Sequence, residues 1–157
     1  MNVGSVCKRE VMTIDPEATV FEAAQRMRQF HVGNLVVVEH AEGETVPVGI
    51  ITDRDIVVSM VAEDIPDHHS MLVSDLLSSE LITANEAEQL DEVIERMSEN
   101  AVRRLPVVDD TGRLVGIFTL DDGILFVADK MSGLLGDLVD LARIVHRQRD
   151  LEKRVRE

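Results

Sequence analysis

The sequence predicts an α/β protein made of two β-hairpin/helix repeats packed about a pseudo-twofold axis, followed by an amphipathic C-terminal helix. Three observations carry this: internal self-similarity, the hydrophobic periods inside each copy, and a leucine-rich run after the second copy. Residues 19–39 align without gaps to 89–109 at an offset of 70, with Glu22, Arg26, Met27, Val32, Leu35, Val37 and Val38 meeting identical residues. Gly49-Ile-Ile-Thr-Asp-Arg-Asp55 matches Gly116-Ile-Phe-Thr-Leu-Asp-Asp122 at an offset of 67, so the first copy carries three extra residues in its hairpin, around Ala41 to Val46.

Each copy reads helix, strand, turn, strand, helix. Val20, Ala23, Ala24, Met27 and Phe30 recur at helical spacing, as do Leu90, Val93, Ile94 and Met97, which predicts two core-facing helices. Leu35 to Val38 and Leu105 to Val108 are short apolar runs rich in β-branched residues. Turn signals follow (Glu42-Gly43-Glu44; Asp109-Asp110-Thr111-Gly112), then second runs at Val46 to Ile51 and Leu114 to Phe118. Asp53 and Asp55, like Asp121 and Asp122, open the next helices, where carboxylates cap free N–H groups and suit the dipole. One hairpin with two helices buries too little to stand alone, so the pair is expected to be the folding unit. The expected boundaries are 1–64 for the first repeat, 65–72 for a linker, 73–130 for the second repeat and 131–157 for a helical extension, in which Leu134, Leu138, Leu141 and Val145 alternate four- and three-residue steps.

Composition narrows the function. Thirty acidic residues against 16 basic ones give a net charge of −14, which argues against a nucleic-acid binder, since phosphate contacts need concentrated positive charge. Cys7 is the single cysteine, no 18-residue apolar run occurs, and the N-terminus has no signal-peptide layout; the expected compartment is the cytoplasm, with no membrane partner. No Gly-x-Ser-x-Gly elbow, His-Glu-x-x-His or Walker-type lysine loop is present, so no catalytic residue is assigned and no enzyme activity is expected. Asp67-His68-His69, with Glu63 and Asp64, reads as a solvated linker and not a metal site, because adjacent histidines point to opposite sides. His31 reads as a surface residue at a helix end, His40 and His146 as without function, and Cys7 as an inert thiol.

The two copies, Leu105-Pro-Val-Val-Asp109 and the Gly-x-x-Thr-x-x-Asp junctions at Gly49 and Gly116 resemble the CBS (cystathionine-β-synthase-type) family, as a tandem pair or Bateman module covering about Val6 to Lys130. The first copy departs at Gly33-Asn34, where the second has Arg103-Arg104, and at Val36, where the second has Pro106. The resemblance implies a regulatory module with two clefts, often a homodimer, that binds AMP, ADP, ATP or S-adenosylmethionine and needs no cofactor. Carried over by position, Asp55 and Asp122 would accept from ribose hydroxyls, and Thr52 and Thr119 would donate to phosphate. Thr13-Ile14 and Thr83-Ala84, with Val36 or Pro106 opposite, would sandwich the adenine. The residues support this by themselves: a hydroxyl at a helix start joins free N–H groups into an anion site, and a carboxylate one turn later can read a diol. Arg103 and Arg104 stand where a guanidinium could reach a phosphate, one of the two pointing away. The alternative is a ligand-free module serving dimerisation or protein interaction. No effector domain is recognised in the sequence, so the output is expected to go to a separate effector protein, to the dimer itself, or through the added helix at Gly133 to Glu157.

Overall fold

The computed structural model describes residues 1–41, 43–62, 69–77 and 80–156, with side chains described as far as 141 and at 143. The sequence-based readings of Glu42, of Glu63, Asp64, Asp67 and His68, of most of the 65–72 linker, and of the His146 side chain lie outside these.

Residues 1–119 form one compact unit holding two three-stranded sheets. In the first, β1 (Thr13–Ile14) runs parallel to β2 (Asn34–Ala41), which pairs antiparallel with β3 (Glu44–Thr52). In the second, β4 (Ala84–Asn85), β5 (Arg104–Val108) and β6 (Leu114–Thr119) repeat that order, and both hairpins carry an irregularity at the equivalent place, Val37/Val38 and Val107/Val108. The three extra residues of the first copy lengthen its strands: Ala41 pairs with Glu44 across a turn in which Gly43 takes φ +84°. Leu35 and Val37 face the core beneath α1 (Val20–Phe30). Val36 and Val38 face the other way and pack with Ile117 of β6, so both sides of β2 are buried and the apolar run need not alternate.

Helix α1 starts in a reciprocal cap: the Glu22 amide donates to the Thr19 hydroxyl at 3.2 Å, and the Thr19 amide donates to the Glu22 carboxylate at 2.8 Å. These bonds, led by the backbone one, hold the Glu22 carboxyl below its ordinary pKa. α1 and α3 (Leu90–Glu99) each bury one row, Val20, Ala23 and Met27 in one and Leu90, Val93 and Met97 in the other. The expected stripe is narrower than its periodicity implied: Ala24, Phe30 and Ile94 point outward, because a three-stranded sheet covers only one row of a helix. Both helices end on a left-handed residue, His31 and Ala101, each at φ 53°. His31 is exposed and its amide donates to the Met27 carbonyl as a helix end requires.

The two copies exchange their leading segments. The 3-10 turn Val3–Ser5 hydrogen-bonds to the second copy, with Val3 N to Glu88 O at 2.9 Å and Gly4 N to Glu86 O at 3.0 Å. The turn Val73–Leu76 hydrogen-bonds to the first, with Val73 N to Ala18 O at 2.8 Å and Ser74 N to Pro16 O at 3.0 Å. Val3 and Val73 are completely buried. The repeated glycines make room for these segments: a Cβ on Gly49 would lie 2.7 Å from the Leu77 side chain, and one on Gly116 would lie 2.6 Å from Cys7 Sγ. Burial pushes the Cys7 thiol up, against the pull of Arg9, in accord with an unreactive sulfur.

The second hairpin turns on Asp109. Its Oδ1 accepts from the Thr111 hydroxyl at 2.7 Å and from the Thr111 and Arg113 amides at 3.0 Å each, and its Oδ2 pairs with the Arg113 guanidinium at 2.8 Å. The Thr111 hydroxyl leads the groups that hold its carboxyl down to about 2.

After β6 the chain enters a second unit, a single helix α4 (Leu120–Arg156), described here by itself. The helix expected after Asp121-Asp122 and the added one from 131 are therefore one continuous element. Gly133 and Gly136 meet nothing within 4 Å and do not interrupt it.

Three outcomes follow. Val3→Ala should cost about 2 kcal/mol through its cavity. Amide exchange should then quicken in β2 as well as β5, and loosening confined to β5 would show that the exchanged turns do not couple the copies. Ala101→Gly should raise the urea stability by roughly 0.5–1 kcal/mol, since glycine takes the left-handed region without a Cβ clash. Asp109 has a folded pKa below its unfolded one, so its stabilisation is complete above about pH 4 and disappears as pH falls toward 2. Asp109→Asn should therefore be less stable at neutral pH and lose less between pH 4 and 2, as acid titrations of both proteins will read.

Candidate functional site

A cleft of about 520 Å³ opens in the 1–119 unit where the two copies meet. Gly49, Ile50 and Asp55 line it from the first copy, Leu76, Leu77, Glu80, Leu81 and Ile82 from either side of positions 78–79 ahead of β4, and Asn100, Val102 and Arg104 from the approach to β5. Polar and apolar surface share its walls about equally, with Asn100 and the charges of Asp55, Glu80 and Arg104 set among aliphatic side chains.

Asp55 comes from α2 (Asp53–Ile56), which begins at Thr52 because β3 ends there in a capping box. The Thr52 amide and hydroxyl donate to Asp55 Oδ2 at 2.8 and 2.7 Å, and the Asp55 amide donates back to the hydroxyl at 3.1 Å. Asp55 Oδ1 takes no hydrogen bond among the described residues, which leaves it available within a half-buried carboxylate. The helix then widens into a π turn over Val57–Val61.

Arg104 is half-buried, and its Nη1 donates to Asn34 Oδ1. These two residues are equivalent in the repeat, so the bond crosses the pseudo-twofold relation between the copies. The guanidinium keeps further donors for another acceptor. Arg103 is exposed and does not line the cleft. At Gly33, the counterpart of Arg103, a Cβ would come within 3.2 Å of the Asp53 carboxylate, and the Asp53 amide donates to the Gly33 carbonyl at 3.1 Å.

The remaining expected residues are dispersed. Thr13 and Ile14 line a second, polar depression of about 450 Å³ with Glu22, Arg26 and His40. Thr83 is half-buried beside Ile82, and Ala84 is buried in β4. The Thr13 and Thr83 carbonyls accept from Arg26 and Arg96 at 2.5 and 2.9 Å, which gives the arginine repeated in both copies a structural task. Val36 and Pro106 are completely buried and offer no surface to a ligand in this conformation. Thr119 closes β6, and Asp122 stands in the first turn of α4. Sequence reasoning missed Ile50, Leu76, Leu77, Glu80, Leu81, Ile82, Asn100 and Val102. Among these, Ile50 lies inside the marked Gly49–Asp55 junction, Ile82 precedes Thr83-Ala84, and Asn100 and Val102 precede Arg103-Arg104, so these four could have been found by extending stretches already marked.

Among the described residues, no cluster of three metal-ligating side chains occurs, and no helix is long and apolar enough to cross a membrane.

Duplicated sheets with exchanged leading turns and an inter-copy cleft define a tandem-repeat α/β module. The chain belongs to the CBS domain family, whose model matches residues 3–62 and 73–129. It is 37% identical over 122 residues to an uncharacterised protein of Methanopyrus kandleri, covering 78% of this chain and 60% of that one. It is 38% identical over 114 residues to inosine-5'-monophosphate dehydrogenase of Methanocaldococcus jannaschii, covering 73% of this chain but only 21% of the dehydrogenase. The chain thus spans about three-fifths of the first relative and about one-fifth of the second. Among solved structures, it is similar to the CBS domain pair of protein MJ0100 in complex with 5'-methylthioadenosine and S-adenosyl-L-methionine. That likeness has a TM-score of 0.70 and 28% identity, and covers 83% of this chain and 98% of that one.

Proposed function

We propose that this chain is a regulatory sensor that binds an adenosyl ligand or adenine nucleotide in the cleft at Asp55. The observation that carries the reading is Asp55 Oδ1, a carboxylate oxygen that takes no hydrogen bond among the described residues, in a cleft lined by both copies. In this reading it accepts from a ribose diol while Ile50, Ile82 and Val102, which line the same cleft, offer apolar surface to a base. By the repeat, Thr119 and Asp122 stand at the positions of Thr52 and Asp55 and are proposed for the second site. The limits 1–64 and 73–130 for the two functional repeats, with 131–157 as an extension, are part of the same proposal.

Charge orders the ligands. Among the described residues lining the cleft, Asp55 and Glu80 oppose one cation, Arg104, which already holds Asn34. This balance favours an adenosyl group with little negative charge over a triphosphate. S-adenosylmethionine, methylthioadenosine and AMP therefore rank ahead of ATP. Val57, Val58 and Val61, 50–69% exposed after α2, and the apolar residues of α4 support self-association into a homodimer. Ligand binding would then shift the arrangement of copies or subunits, and a separate effector would read the change.

Thermal unfolding tests the reading with S-adenosylmethionine, methylthioadenosine, AMP, ADP and ATP, each on wild type and Asp55→Ala. A ligand at a hundred times its Kd should add about 2.7 kcal/mol and raise the midpoint visibly. Stabilisation of wild type that Asp55→Ala abolishes, weakest with ATP, is the expected result. No shift with any of the five would leave a ligand-free interaction module as the function.

A further inference from the structure

Helix α4 presents an apolar stripe that nothing among the described residues covers. Ile124, Val127, Met131, Leu134, Leu138 and Leu141 recur at alternating three- and four-residue steps, and each is 48–60% exposed. Leu120 precedes the series and Val145 continues it in the sequence, which extends a 3.5-residue period over more than three heptads. A period of this kind fits another helix along its length.

The charges of the helix are divided. From 120 to 140, Asp121, Asp122, Asp129, Asp137 and Asp140 face the single Lys130, a net of −4. From 141 to 157, six basic residues outnumber Asp150, Glu152 and Glu157, a net of +3. Matching the helix dipole accounts only for the first and last turns, since its influence fades within one turn of each end. Asp129, Asp137 and Asp140, like Arg143, Arg147 and Arg149, lie well inside the helix.

We propose that α4 is the pairing surface for a second copy of this chain, the two helices running antiparallel about a dyad near Gly136. This rests on the self-association proposed above and names its surface. Antiparallel pairing sets the acidic half of one helix toward the basic half of the other, whereas a parallel pair would align like with like. It also sends the preceding 1–119 segments, each of net charge −13, to opposite ends of the pair. In the register about Gly136, Leu134 meets the partner's Leu138 and Met131 the partner's Leu141. On one flank Leu135 meets the partner's Leu135. The unfavourable pairings are Asp137 with the partner's Asp137 on the other flank, where solvent and salt screen it, and the outer ends of the stripe, where positions 120 and 124 fall level with the polar positions 152 and 148 of the other helix.

Distances between copies test this in the full chain. In a Cys7→Ser background, spin labels are placed at Leu125→Cys or Val139→Cys, both beside the stripe. At a rise of 1.5 Å per residue the antiparallel pair puts the two 139 positions roughly 13 Å apart and the two 125 positions roughly 35 Å apart. Adding Leu134→Asp and Leu138→Asp should abolish the short distance while amide exchange in β2 and β5 stays unchanged, which shows that the variant is folded. Short distances at both positions would mean a parallel pair and overturn the proposal. Long distances at both, or a short one indifferent to the aspartates, would place the dimer on another face and overturn it too. A chain that sediments as a monomer at the labelling concentration would overturn both this inference and the self-association beneath it, while a dimer with the wrong distances overturns this inference alone.

Discussion

Neither copy can bury both sides of its sheet alone, and the rest of residues 1–119 follows from that constraint. A three-stranded sheet has one face for its helix and one left over. Leu35 and Val37 use the first, and Val36 and Val38 use the second by packing on Ile117 of the other copy. The exchanged turns then tie the arrangement down, with Val3 in the second copy and Val73 in the first, each completely buried. Loss of either turn exposes a sheet belonging to the opposite copy, so the copies act as one cooperative body although the sequence duplicates a smaller unit. The glycines of the repeated Gly-x-x-Thr junction belong to the same constraint, because any side chain at Gly49 or Gly116 would occupy the path of the exchanged segment.

The cleft is a consequence of this packing. The sheets meet along Val36, Val38 and Ile117, and the Asn34–Arg104 bond spans the same junction. Beyond it, Leu76, Leu77, Glu80, Leu81 and Ile82 stand opposite Gly49 and Ile50 across a gap that no side chain of the described residues fills. The position of Asp55 in that gap depends on Thr52, which fixes the carboxylate by its amide and hydroxyl while leaving one oxygen unused. A capping box thus does two things: it starts α2, and it aims a carboxylate. The capping reading and the ligand reading of Thr52 and Asp55 are compatible for this reason.

Much of this was legible in the sequence because duplication doubles every signal. The offset of 70 marked the helices and hairpins, and it extends to features with no sequence signature, such as the left-handed residues His31 and Ala101. The stripes on α1 and α3 were read too wide, since periodicity records which residues are apolar and not how many strands lie beneath them. The site was legible only at its motif positions. Asp55 and Arg104 line the cleft, but Leu76, Leu77 and Leu81 reach it through the exchange of leading segments, a long-range event that local pattern does not encode. Val36 and Pro106 went into the core because a strand between two sheets has no free face.

The cleft takes its walls from both copies, and this sets what binding can do. A ligand held by Asp55 on one side and by Ile82, Val102 or Arg104 on the other touches parts that can move relative to each other only by straining the Val36–Ile117 packing and the Asn34–Arg104 bond. Packed interfaces of this kind shift between discrete arrangements and do not deform continuously. The response is limited to the difference in affinity between those arrangements, however tightly the ligand binds. Under the proposed function, Arg104 is the residue through which that difference would be most directly expressed. A ligand anion that drew the guanidinium away from Asn34 would loosen the bond between the copies, one met by its remaining donors would not, and a neutral or cationic ligand would leave it in place. Ligands that share the adenosyl group but differ in charge should therefore favour different arrangements of the same module.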